Sequence, residues 1–309
     1  MPKLLVTTPI SHIDGLFKYL NQDFELIMLE NCKKENLNYS EEIDAIFTNP
    51  NQLTFNIDKF IFDLFPNLSV VCTASTGTNH IDKEESNLRG IKIISITEER
   101  DTINKISSTA EHALALTLAA LRNIPSSFDA VKKNNWSYLP FIGRQLSELK
   151  VGIIGYGRLG KFYANYCDAF GSEIFVYDPY KDVVHPRIKR VKTLQEIAYN
   201  SDIISIHAHV NKETIHLIDN DFLKKCKSDV LIVNTSRGEI VDEKSLQNQL
   251  IQNPKMKYAT DVLEGEFTNH DSSSIINFSK NNNQVLITSH IAGMTTEAQS
   301  IAYFRAAEL

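Results

Sequence analysis

Cysteine is scarce in this chain, and no residue type is concentrated enough to mark a specialised class. Four cysteines, Cys32, Cys72, Cys167 and Cys226, are scattered over 309 residues with no C-x-x-C among them. That spacing excludes a disulfide scaffold and a zinc ribbon, and reads as buried thiols in a reducing compartment. Cations do not outnumber anions: the formal net charge is −6 and no basic stripe occurs, which argues against a nucleic-acid partner. No apolar run approaches the roughly 20 residues of a membrane span. The longest, "ALALTLAALR", falls far short. The opening "MPKLLVTTPISHID" lacks the apolar core of a signal peptide. Carboxylates and histidines show no metal-ligand spacing, so no metal is expected. There is no solenoid repeat and no low-complexity tract. The expectation is a cytoplasmic globular protein without a membrane segment.

The length fits about two domains, and a hydrophobic fraction of 42% is enough to bury their cores. Short β-rich runs alternate with helical patterns. In the first third the strands are "KLLVTT", "FELIML", "AIFTN", "SVVCTAS" and "KIISI", separated by pieces such as "DGLFKYL" and "NIDKFIFDLF". From Val151 a second series begins: "VGIIG", "EIFVYD", "DIISIHA", "DVLIVNT", "YATDV" and "QVLITS". Such alternation predicts an α/β fold of two doubly wound parallel sheets. Between them Ser107, Ser108 and Thr109 can cap a helix, with Glu111 in its first turn. Residues Ala110 to Leu121 are apolar on nearly all sides, which predicts burial between domains or subunits. The stretch "SSFDAVKKNNWSYLPFIGRQLSELK" holds the only tryptophan, Trp136, and reads as irregular, either a reach toward a partner or a surface loop.

One short stretch carries chemistry. Gly155-Tyr156-Gly157-Arg158-Leu159-Gly160 is a G-x-G-x-x-G behind a strand and ahead of a helix. A second strand then ends in Asp178, 23 residues after Gly155. This is a dinucleotide fingerprint in its proper context. Gly155 serves the tight turn, Gly157 the approach of a pyrophosphate, and Gly160 the close packing of helix on strand. Backbone N–H groups near Arg158 and Leu159 meet the diphosphate at the positive end of the helix. Asp178 would accept from both ribose hydroxyls and repel a 2′-phosphate, so NAD is expected over NADP.

Three further stretches follow in order: "VNTSRGEIVDEKSL" (233–246), "ATDVLEGE" (259–266) and "SHIAGMT" (289–295). With "GIIGYGRLG", "TASTGTNHID", "TAEHALALTLA" and "FIGRQL", the chain resembles the D-isomer-specific 2-hydroxyacid dehydrogenases from about Ala74 to about Phe304. The resemblance implies a Rossmann domain, residues 102–289, inserted in a flavodoxin-like substrate domain, residues 1–101 with 290–309 returning to it. It implies Arg237 as the holder of a substrate carboxylate and keto oxygen, a task that suits its planar fork. It implies His290 as the acid–base group and Glu266 as its partner; a carboxylate beside an imidazole favours the imidazolium. Thr76 and Gly77 match a loop that clasps the substrate carboxylate. Tyr156, His207, Thr235, Ser236, Asp261 and Gly293 join the glycine loop on the cofactor side. His80, His112 and His209 are expected to be structural or exposed.

The chain departs from the family pattern in places. His207-Ala208-His209 lacks the usual proline, Phe267 stands where a proline commonly follows the glutamate, and "TEAQSIAYFRAAEL" is short for the family's last helix, which predicts weaker docking on the first domain. The family is commonly dimeric through the segment matching 105–146, and closes on its substrate by a hinge. The expected activity is interconversion of a 2-keto acid and its D-2-hydroxy acid with NAD. The competing reading is an NAD(H)-sensing corepressor of the same fold. The loop "TNPNQLTFN" (48–56) carries Asn49 and Asn51 but no arginine or lysine, so a small 2-keto acid with an uncharged or hydroxylated side chain, such as glyoxylate, hydroxypyruvate or pyruvate, is expected.

Overall fold

The computed structural model describes residues 1–309 apart from 30–32, 51–54, 184 and 267–272. The chain forms two compact units, Met1–Ile106 with Gly293–Leu309, and Ser107–Ala292.

In the first unit five parallel strands, β1 (Lys3–Val6), β2 (Glu25–Met28), β3 (Ala45–Thr48), β4 (Val70–Thr73) and β5 (Lys92–Ser95), lie in the order β2-β1-β3-β4-β5. That is the flavodoxin-like order. The sequence alternation is visible in the packing. Leu4 and Val6 feed one core together with Phe47 and Cys72, while Leu5 feeds the opposite core with Ile46 and Val71. Period two thus buries both faces of the sheet. The short final helix, Thr296–Glu308, docks more firmly than its length predicts. It buries Ala302, Tyr303 and Ala306, places the Tyr303 hydroxyl 2.9 Å from Thr8 Oγ1, and pairs Arg305 with Glu99 at 2.7 Å.

The second unit is a seven-stranded parallel sheet. Its strands are β6 (Lys150–Ile154), β7 (Glu173–Tyr177), β8 (Ile188–Arg190), β9 (Ile203–Ile206), β10 (Leu231–Asn234), β11 (Lys257–Thr260) and β12 (Val285–Ile287). They run β12-β11-β10-β9-β6-β7-β8, a Rossmann order whose direction of winding reverses between β6 and β9. Val151 and Ile153 face one core and Ile154 the other, so helices cover both faces here too.

Two features differ from the sequence expectation, and the apolar helix is buried as expected. Strand β8, "IKR", has only Ile188 buried, and one apolar residue carries no periodic signal. The start of the segment read as irregular is a helix, Ile124–Lys132, with Pro125 in its first turn where a missing N–H costs nothing. The apolar helix Ser108–Leu121 packs on its own unit, burying Ala110, Ala113, Leu116, Ala120 and Leu121 in one core with Tyr163 and Val233. Among the described residues no helix is long and apolar enough to cross a membrane.

Candidate active site

Parallel strands all end on one side, so the loops after β6, β7, β9, β10, β11 and β12 share one rim of the second sheet. The glycine turn leaves β6. Gly155 has φ +93°, and a Cβ there would meet the His207 carbonyl oxygen at 2.6 Å. A Cβ on Gly160 would lie 2.1 Å from the Gly155 oxygen, so this glycine lets the helix Arg158–Ala169 sit against the turn. At Gly157 a Cβ would meet nothing within 4 Å. The protein's own packing therefore does not require glycine there, and the open space suits an approaching pyrophosphate. Tyr156 is buried between these glycines, and its N–H donates to Asp178 Oδ2 at 2.7 Å. The other oxygen of Asp178 accepts from the N–H groups of Tyr180 and Lys181 at 2.9 and 3.0 Å. A fixed anion thus stands at the end of β7.

The next rim positions hold unpartnered polar atoms. Burial lowers the His207 pKa to about 3, so the ring is neutral. Its Nε2 lies 2.9 Å from Ser205 Oγ, while the buried Nδ1 has no partner. The buried Thr235 Oγ1 is likewise without a partner. Buried polar atoms of this kind are costly unless a ligand or water meets them, so the rim fits a dinucleotide.

Arg237 follows β10 in a turn set by Asn234. The Asn234 side chain accepts from the Ser236 N–H at 3.0 Å and donates to the Arg237 carbonyl at 2.9 Å. Ser236 Oγ donates to Ile206 O at 2.8 Å, tying the turn to β9. Gly238 then wedges against the chain at Leu263–Glu264, where a Cβ would come within 1.9 Å of the Leu263 carbonyl carbon.

His290 and Glu266 come together: Nδ1 and Oε1 are 2.8 Å apart. The other Glu266 oxygen accepts from the Leu263 N–H at 3.2 Å. His290 has φ +55°, a left-handed conformation that costs a non-glycine residue energy unless its surroundings impose it. Asp261, at 1% exposure, supplies the restraint. Its oxygens accept from the N–H groups of Ile291 (2.9 Å) and Ala292 (2.8 Å), and from Thr288 Oγ1 (2.5 Å). Burial would raise the Asp261 pKa, but donors from His112, Thr288, Ala292 and Ile291 hold it below the usual carboxylate range. Both carboxylate oxygens of Asp261, expected beside the cofactor, are thus already engaged.

In the first unit the loop after β4 carries Thr76 and Gly77. Their carbonyls are taken by Thr97 Oγ1 (2.7 Å) and Ser75 Oγ (2.6 Å). Their N–H groups make no hydrogen bond among the described residues, which leaves them able to meet an anion. Gly293 has open space where a Cβ would stand. Asn51 and Phe267 lie outside the described residues. Sequence reading missed Glu243. It is buried and accepts from the Glu264 N–H at 3.0 Å, under the loop that ends in Glu266. Burial, then the charges of Glu264, Glu239 and Glu266, push its pKa up to about 7 against the N–H bond that lowers it. An "E" opening a helix gives no such signal.

A parallel sheet with a glycine turn at its switch point and a carboxylate at the end of the next strand defines a dinucleotide-binding domain. Residues 114–292 match the family model for the D-isomer specific 2-hydroxyacid dehydrogenase, NAD binding domain. The chain belongs to this family, and NAD is its dinucleotide. A D-3-phosphoglycerate dehydrogenase of Bacillus subtilis is 30% identical over 97% of this chain and 54% of its own length. One from Mycobacterium bovis is 31% identical over 80% of the chain and 45% of its own. The chain thus spans about half the length of these curated relatives. A glyoxylate reductase of Pyrococcus furiosus is 29% identical over 96% of the chain and 88% of its own length. The fold is that of a D-lactate dehydrogenase from Aquifex aeolicus complexed with NAD and lactic acid, with TM-score 0.81 and 24% identity over 99% of this chain and 93% of that one.

The geometry separates two glycines by a measurable outcome. Gly157→Ala should cost at most about 1 kcal/mol of stability, through the poorer helix N-cap, yet weaken NAD binding by about tenfold or more. Gly160→Ala should cost roughly 1–3 kcal/mol of stability, because its methyl meets backbone. Urea unfolding and a fluorescence titration with NADH check both; equal losses in the two variants would contradict the open space at residue 157.

Glu243 gives a pH prediction. A folded pKa of about 7, raised from 4.5, means the fold prefers the protonated acid, so this stability is present below pH 4.5 and lost as pH rises through 7. Glu243→Gln should therefore be the more stable form at pH 8, by at most about 3 kcal/mol, with the gap closing toward pH 5. Denaturant melts at the two pH values measure it, and a variant less stable at pH 8 would contradict the assignment.

Proposed function

We propose that the chain is an NAD-dependent oxidoreductase interconverting a small 2-keto acid, with no charge beyond its carboxylate, and the D-2-hydroxy acid. The observation that carries the reading is the His290–Glu266 contact of 2.8 Å on the rim that also bears the glycine turn and Arg237. With Glu266 at Nδ1, the other nitrogen, Nε2, is the one that moves a proton at the substrate oxygen. When bound, the nicotinamide supplies or receives the hydride at the substrate carbon. Arg237 offers a forked donor set to the carboxylate and keto oxygen. The first unit is assigned to substrate, with the N–H groups of Thr76 and Gly77 suited to a carboxylate. His207, Thr235, Ser236, Asp261 and Gly293 are assigned to the nicotinamide side, and Asp178 to the ribose. The intact Arg237, Glu266 and His290 favour an enzyme over the corepressor reading.

Substrate charge is argued from the first unit. Residues 7–15 and 74–82, which follow β1 and β4, contain no lysine or arginine, and neither do Asn49 and Pro50 after β3. A phosphoryl group would want cations there. The free Cys72, Cys167 and Cys226, with thiols pushed up to about 12 by burial, support a reducing cytoplasmic setting. A homodimer is supported by the segment 124–142, where Phe128, Tyr138, Leu139 and Ile142 are exposed and Trp136 is 86% exposed.

NADH oxidation with a panel of 2-keto acids tests the activity. Glyoxylate, hydroxypyruvate or pyruvate should be reduced, and His290→Ala should lower kcat by about 10²–10⁴-fold. A strong preference for a phosphorylated acid would overturn the substrate reading. A His290→Ala variant with full activity would overturn the mechanism. Light scattering tests assembly: the mass should be that of two chains, and Trp136→Glu with Ile142→Glu should give one. A wild-type monomer at micromolar concentration would refute the dimer.

A further inference from the structure

His112 was expected to be structural or exposed, but it sits at the head of a hydrogen-bond chain that ends on the backbone of His290. It lies at the start of the second turn of the helix Ser108–Leu121. Its Nε2 is 2.9 Å from Thr288 Oγ1 and 3.5 Å from Asp261 Oδ1. Thr288 Oγ1 stands 2.5 Å from the same Asp261 oxygen, which as an ionised acceptor takes the single hydroxyl proton. The Thr288 oxygen is then an acceptor toward His112, so Nε2 carries the proton and donates. The sequence of donors is His112 Nε2–H to Thr288, Thr288 O–H to Asp261, and Ile291 and Ala292 N–H to Asp261 from the other side.

What this clamp fixes is the left-handed residue between Thr288 and Ile291. His290 has φ +55° with its neighbours' backbone bound to Asp261 on one side, and its own Nδ1 on Glu266. Thr288 is also held by its N–H to Thr260 O at 2.9 Å, so both flanks of the residue are anchored to the end of β11. We infer that His112 is a positioning residue for His290: through Thr288 and Asp261 it orients the carboxylate that imposes the backbone conformation from which the imidazole reaches Glu266. The inference rests on His290 being the acid–base group, and extends that reading to a residue on a different element.

The test uses His112→Ala and His112→Gln, the latter keeping an N–H donor at similar reach, and Thr288→Val, which cuts the relay without touching the histidine. The first readout needs neither nucleotide nor substrate: the imidazole nitrogen-15 spectrum of the free chain, with the His290 signal identified by its loss in His290→Ala. In His112→Ala and Thr288→Val that signal should shift or split, and in His112→Gln it should return to the wild-type position. The second readout is kinetic. His112→Ala should lower kcat by about tenfold or more while KM for NADH and for the keto acid stay within about threefold, because a misplaced acid–base group costs rate rather than ground-state binding. An unmoved His290 signal with kcat within twofold of wild type would overturn the proposal. A raised KM for NADH at unchanged kcat would overturn it too, by placing His112 in cofactor binding. If wild type turns over no 2-keto acid, the function reading fails and the spectrum alone decides the clamp. Should His112→Ala not fold, Thr288→Val decides by the same two readouts.

Discussion

His290 and Glu266 can meet only because β11 and β12 run parallel and end level. Pairing of Thr260 with Ile287 sets that register, and the loops beyond it start from a common line. Glu266 is reached after the tight passage through Leu263–Glu264, His290 after the step at Thr288. The described residues leading to these two groups, 261–265 and 288–289, form no strand or helix that would hold an imidazole within 2.8 Å of a carboxylate. The work falls to buried acceptors. Asp261 collects the donors of the His290 loop, and Glu243 takes the Glu264 N–H beneath the Glu266 loop. Asp261 ties the His290 loop to the end of β11, and Glu243 ties the Glu266 loop to the first turn of the helix Glu243–Gln252.

The two carboxylates hold their loops under opposite electrostatics. Asp261 has enough donors to remain an anion at 1% exposure. Glu243 has one backbone donor and three acidic neighbours, and burial drives it toward the neutral acid. The difference follows from donor count, since a buried anion is stable only where hydrogen bonds replace its lost water. His207 repeats the rule with opposite sign, kept neutral by burial with one nitrogen bound to Ser205. Donor count therefore decides which of these buried groups keeps its charge: Asp261 does, while Glu243 and His207 are driven toward neutrality.

The two-sheet fold was legible because alternating strands buried on both faces leave a strong apolar pattern. The glycine turn was legible as a compact motif, and the meeting of Glu266 with His290 through the resemblance that their flanking stretches carry. What the sequence hid has a common physical origin. Strand β8 has one buried residue and so no period. The helix Ile124–Lys132 buries none, so its sequence reads as a loop. His112 and Glu243 act through contacts with residues far along the chain, 176 positions away for His112 and Thr288. Local sequence carries propensity and period; it does not carry which distant backbone N–H a carboxylate will meet.

The glycines make the same point within one motif. In "GYGRLG" the first and third are forced by neighbours, the His207 backbone and the Gly155 oxygen. The middle one is not, since nothing in the fold comes within 4 Å of its absent side chain. Neither packing nor backbone conformation requires glycine at residue 157, whose φ of −73° any residue can adopt. As the N-cap of the helix Arg158–Ala169, glycine is an acceptable cap, but a serine, asparagine or aspartate would cap the helix at least as well, so capping alone does not single it out. The structure thus separates what the turn needs from what a ligand needs, and the residue it leaves unexplained by packing is the one at which a pyrophosphate would arrive.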